Sequence, residues 1–90
     1  MTHVIDNPAT GRFELVEQGL TAYADYRLTP DRMIIDYVFS PTALRGAGTA
    51  GRLMQGVTEA ARARNLKITP LCGYAAAWLK RHPETADLVA

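Results

Sequence analysis

The sequence predicts an α+β fold: an antiparallel β-meander running into a β-α-β-α segment, with the helices packed on one mixed sheet. Three observations predict it. The first half alternates apolar and polar residues with a period of two and is cut by short turns. After Pro41 the period changes to that of a helix. Between the two lies the glycine-rich stretch Arg45-Gly46-Ala47-Gly48-Thr49-Ala50-Gly51.

Each element follows in order. Phe13–Glu17 alternates and is predicted as the first strand, with Gln18-Gly19 as a hairpin turn. Leu20–Leu28 is the second, with Ala22, Ala24, Tyr26 and Leu28 on one face. Thr29-Pro30-Asp31 is turn chemistry. Arg32–Ser40, with Ile34, Ile35, Val38 and Phe39, is the most β-prone run and ends before Pro41. Ala50, Leu53, Met54, Val57, Ala60 and Ala61 recur at helical spacing, so Thr49–Arg64 is an amphipathic helix stopped at Asn65. Gly56 in its middle costs about 1 kcal/mol against Ala, which close packing on the sheet would explain. Leu66–Pro70 is a short strand, parallel to the third through a right-handed crossover. Tyr74–Arg81 is a second helix, ended by His82-Pro83.

Ninety residues and a 48% hydrophobic content fit one domain, residues 1–90 with a core of about 11–84. No apolar run reaches transmembrane length and the first residues lack a leader pattern, so a cytoplasmic protein is expected. The lone Cys72 agrees with a reducing compartment. Two histidines and one cysteine, far apart, indicate no metal site. Net charge is +1, unevenly spread. Residues 1–36 carry −3, whereas residues 37–83 hold seven bases and one acid, Glu59. With a pI near 7.9 and no nucleic-acid motif, the basic stretch suits a compact anion better than a long polyanion.

The glycine-rich stretch follows a strand and opens a helix, the setting in which backbone N–H groups and the helix dipole hold phosphate. It has no Lys-Ser or Lys-Thr, so it is no Walker A loop, and the preceding meander argues against a dinucleotide fingerprint. No acid lies in the helix's first turn, so its positive end is expected to be free for a ligand, with Arg45 and Arg52 flanking it. Cys72 stands at the start of the second helix, where a thiol tends toward its reactive form. A small buried cysteine without chemistry is the other outcome.

Arg45-x-x-Gly48-x-Ala50 fits the Gln/Arg-x-x-Gly-x-Gly/Ala motif of GNAT-type N-acetyltransferases. With Leu66-Lys67-Ile68-x-Pro70-Leu71-Cys72-x-Tyr74 and Trp78–Glu84 downstream, the chain resembles the small, single-domain, cysteine-containing members of that superfamily. The resemblance implies acetyl-CoA as cosubstrate, and an amine acceptor that is a small amine or a protein lysine. It puts the pyrophosphate on Arg45, Gly46, Ala47, Gly48, Thr49, Ala50 and Gly51. The pantetheine arm would run along the third strand to Phe39 and Ser40, with Tyr74 also at the donor site. Cys72 is the implied catalytic residue.

The family's His-Thr pair late in the third strand is replaced by Tyr37-Val38. Tyr37 is a poor base, and strand alternation puts the nearest carboxylate, Asp36, on the opposite face. A non-catalytic acyl-CoA-binding or regulatory module is therefore the alternative function. Ninety residues leave little chain for an acceptor pocket, so either the acceptor is bound shallowly or a homodimer or partner protein completes the pocket.

Overall fold

The computed structural model describes residues 3–90. Five strands form one sheet in sequence order: β1 (Ile5–Asn7), β2 (Arg12–Glu17), β3 (Leu20–Leu28), β4 (Arg32–Phe39) and β5 (Lys67–Pro70). All neighbours are antiparallel except β4 and β5, which are parallel. Helix α1 (Thr49–Ala63) makes the crossover between them, and α2 (Gly73–Lys80) follows β5. Short 3₁₀ turns lie at Thr42–Leu44 and Pro83–Leu88.

The period-two segments become strands because alternate residues are buried. Phe13 and Leu15 of β2 face Ala24 and Ala22 of β3, and all four are buried. Small alanines on β3 let α1 lie close, and its Leu53, Met54, Val57 and Ala61 fill the space above the sheet. Ala75, Trp78 and Leu79 of α2 join the same cluster, so both helices lie on one face. Leu28, expected beside Tyr26 in this core, is exposed at the strand end. Asn65 stops α1 by adopting a left-handed conformation, φ 57°, while the Leu66 amide closes back on the Ala61 carbonyl at 2.9 Å.

Two features depart from the expected strands. Strand β1 has no alternation of its own and exists by pairing Ile5–Asn7 with Arg12–Glu14. Strand β4 carries a bulge: Asp25 pairs with Tyr37 but Tyr26 pairs with Ile35, leaving Asp36 as the extra residue. The bulge cancels the alternation at this point. Asp36 reaches Arg27 at 2.8 Å, and Tyr37 stands opposite Asp25, on the same face of β3 as Arg27. Asp36 and Tyr37 thus share the face away from the helices, a correction to the expectation that they oppose each other.

Gly56 is also explained differently. A Cβ there would stand 2.5 Å from Val4 Cβ and closer still to Val4 Cγ2. The close approach is to the residue entering β1, not to the sheet surface.

Candidate functional site

The pairing of β4 with β5 stops at Ile35 and Pro70. Beyond it, the Ile35 carbonyl accepts from both the Leu71 amide (2.9 Å) and the Cys72 amide (3.3 Å). The chain then turns away into α2 while β4 continues to Phe39. A cleft of about 440 Å³ lies along the outer part of β4, lined among others by Val38, Ser40, Leu44 and Tyr74. Its far end is the glycine loop: Arg45, Gly46, Gly48, Thr49, Ala50 and Gly51 all line it.

The loop presents donors. Gly46 and Gly48 are left-handed, φ 83° and 82°, which turns the chain sharply into α1. Among the described residues, the amides of Gly46, Gly48, Thr49, Ala50 and Gly51 have no acceptor within the chain. The Ala47 amide differs, being taken by the Leu44 carbonyl at 3.1 Å, and Ala47 does not line the cleft. Five amides beside a helix start form a compact anion site by elementary electrostatics. Arg45 adds a cation for which no acidic partner is found among the described residues.

The helix start is not free of carboxylate, contrary to the expectation. Glu17, at the end of β2, accepts from Thr49 Oγ1 at 2.6 Å and from Arg52 Nε and Nη2 at 2.7 and 2.8 Å. The hydrogen bonds from Arg52 and then Thr49 hold the Glu17 carboxyl down at about 2. Thr49 therefore spends its hydroxyl on Glu17, and Arg52 is an ion-pair partner rather than a loose cation. Sequence reasoning missed Glu17 because it lies 32 residues before Thr49; the antiparallel meander returns it to the helix. Its only local signal is the position just before the Gln18-Gly19 turn.

The basic span of residues 37–83 is compensated in part. Arg62 pairs with Asp87 at 2.7 Å, Arg64 pairs with Asp6, and Lys67 donates to the Asp87 carbonyl. Asp6 also accepts from Tyr26 at 2.5 Å, tying β1, β3 and the end of α1 together.

The structure brings most of the remaining expected site residues to one place. Ser40 lines the cleft, and its Oγ is closed off from solvent without a hydrogen-bond partner among the described residues. Tyr74 lines it too, 38% exposed; its phenol is protonated at neutral pH as any tyrosine is, and burial pushes it further above the ordinary value. Phe39 is at the end of β4, with its ring stacked on Tyr23 at 5.1 Å, outside the lining. Cys72 is half-buried at the N-cap of α2, two residues from Tyr74, and does not line the cleft. Leu44 is a lining residue the sequence did not single out, and Val38, noted there only within the third strand and as half of the Tyr37-Val38 pair, lines the cleft as well. Tyr37 is 51% exposed on the other face of the sheet.

A second groove of about 470 Å³ adjoins the first at Gly48 and Gly51. His82 lies there, stacked on Trp78 at 3.8 Å and bonded through Nδ1 to the Trp78 carbonyl at 2.7 Å. It is away from the first cleft. Among the described residues, no three His, Cys, Asp or Glu side chains converge as for a metal ion, and no helix is long and apolar enough to cross a membrane.

No curated protein matches the sequence significantly. The NMR solution structure of a GCN5-like candidate N-acetyltransferase from Staphylococcus aureus superposes with a TM-score of 0.70 at 23% identity, covering 98% of this chain and 87% of that one. The likeness establishes the fold, a five-stranded mixed sheet with its helices. The model of the GCN5-related N-acetyl-transferase family matches residues 12–88. The chain that combines this split sheet with the glycine-loop amides belongs to the GCN5-related N-acetyltransferase family.

Proposed function

We propose that the protein binds acetyl-CoA in the β4–α2 cleft and transfers its acetyl group to an amine. The observation that carries the reading is the set of five amides without acceptors at one end of a cleft that follows β4. The donor's diphosphate presents charged non-bridging oxygens as acceptors, and these amides with Arg45 supply donors of the right kind. Ser40, with its unpartnered hydroxyl, and the outer backbone of β4 suit the amide-bearing pantetheine arm.

In the reaction the neutral amine nitrogen attacks the thioester carbonyl carbon, the C–S bond breaks, the nitrogen gives up one proton to water, and the departing thiolate takes one. Tyr74 is protonated at neutral pH and lines the cleft, so it is the group placed to give that proton. Cys72 is the candidate for a covalent route, in which its sulfur takes the acetyl group first and the amine removes it afterwards. Among the described residues no histidine lines the cleft. That favours the second reading, acyl-CoA binding without rapid turnover.

Saturating acetyl-CoA is expected to raise the melting temperature, since a ligand at 100 times its Kd stabilises the folded state by about 2.7 kcal/mol. No shift would remove both readings. Where binding is found, thiol release with a panel of small amines and lysine peptides separates transfer from binding alone. Loss of release in Tyr74→Phe with retained binding supports proton donation by the phenol. An acetyl group on Cys72, seen by mass spectrometry and absent in Cys72→Ala, supports the covalent route.

A further inference from the structure

We infer that Arg52 and Glu17 form a brace that holds the glycine loop with its amides turned outward, so that both are positioning residues for the donor's diphosphate; this rests on the donor reading above. Arg52 Nη2 donates to the Ala47 carbonyl at 2.9 Å as well as to Glu17 Oε1 at 2.8 Å, while Nε donates to Glu17 Oε2 at 2.7 Å. Glu17 Oε1 also takes the Thr49 hydroxyl at 2.6 Å. One guanidinium thus joins the end of β2, the middle of the loop and the first turn of α1. Ala47, the residue it grips, sits between the two left-handed glycines. The left-handed backbone at Gly48 calls for glycine, and a Cβ there would stand 2.9 Å from Arg52 Nη1 and push on the braced guanidinium.

The physical reason is preorganisation. A loop containing two glycines has many conformations to lose when its amides converge on a ligand. Anchoring its middle carbonyl removes that loss beforehand, and the unpartnered amides stay aimed. The charges themselves argue against direct attraction. Glu17 neutralises Arg52 and brings a negative group to a helix start that is to receive an anion. A pair serving only to attract phosphate would not be built so; a pair serving to fix the loop would.

The two roles differ in sign, and the experiment uses that. Isotopically labelled protein is titrated with CoA while the amide signals of Gly46, Gly48 and Gly51 are followed, with Gly11 and Ala61 as controls for an intact fold. Wild type, Glu17→Gln and Arg52→Lys are compared. The brace predicts that Glu17→Gln weakens CoA binding about tenfold although it deletes a negative charge. It predicts a similar loss for Arg52→Lys although the positive charge is kept, because one ammonium cannot reproduce the forked contacts. The control signals are expected to stay in place in both variants. Unchanged or tighter binding in Glu17→Gln, or wild-type affinity in Arg52→Lys, would overturn the brace and leave the donor reading standing. A wild-type protein whose loop glycines do not respond to CoA would overturn both.

Discussion

Replacing Gly56 by Ala is expected to destabilise the protein, against the usual helix rule. Ala is favoured over Gly in a helix interior by about 1 kcal/mol. Here the new Cβ would lie 2.5 Å from Val4 Cβ, inside any allowed contact, and Gly56 is buried. The contact atom is a branch point beside the backbone, so no side-chain rotation relieves it; the entry to β1 must move. Overpacking of this kind costs about 1–3 kcal/mol. The net result is a loss of about 1 kcal/mol, or about 4–8 °C in Tm for a domain of this size. Removing the obstacle reverses the sign: in a Val4→Gly background, Gly56→Ala should stabilise by about 1 kcal/mol. The coupling from a double-mutant cycle, measured by urea unfolding, is then about 2 kcal/mol. A stabilising Gly56→Ala in the wild-type background, or a coupling below about 0.5 kcal/mol, would refute the packing account.

Three further outcomes follow from the site. Gly46→Ala and Gly48→Ala impose the same left-handed strain, about 1–2 kcal/mol each, but only Gly48→Ala also displaces Arg52. Gly48→Ala should therefore weaken CoA binding more, and titrations in an Arg52→Ala background should show the difference gone. Ser40→Ala removes a buried hydroxyl that has no partner, so Tm should rise, by about 1 kcal/mol of stability, while CoA affinity falls about fivefold; a lower Tm would contradict this. Glu17 has its folded pKa lowered to about 2, so its contribution is present above the unfolded carboxylate value and is lost as pH falls toward 2. Urea midpoints of Glu17→Gln measured between pH 5 and pH 2 should decline less steeply than those of wild type.

Much of this architecture was legible because burial writes a period into the chain. Leu20–Leu28 and the start of α1 at Thr49 fall where the alternation and the helical spacing put them. Features made by pairing rather than by pattern were not legible. Strand β1 is three residues, two of them the poor strand formers Asp6 and Asn7, held by β2, and the Asp36 bulge is visible only once β3 is laid beside β4. The site divided the same way. The glycine loop declares itself, because left-handed turns and unhindered amides demand glycine locally. Its electrostatics did not. A run of residues 37–83 poor in carboxylates looks strongly basic on paper, yet Asp6, Glu17 and Asp87 arrive from both sides of it to meet Arg64, Arg52 and Arg62. Charge along a chain is a poor guide to charge in space when strands fold back on a helix.

The double acceptance at the Ile35 carbonyl carries a consequence for how this scaffold tolerates change. The gape between β4 and α2 is pivoted on one main-chain oxygen, held by the amides of Leu71 and Cys72. Both bonds are made by main-chain amides, so side chains at the two positions can be exchanged without removing the donors that hold that pivot. Proline is the exception, because it alone arrives without an amide hydrogen to give.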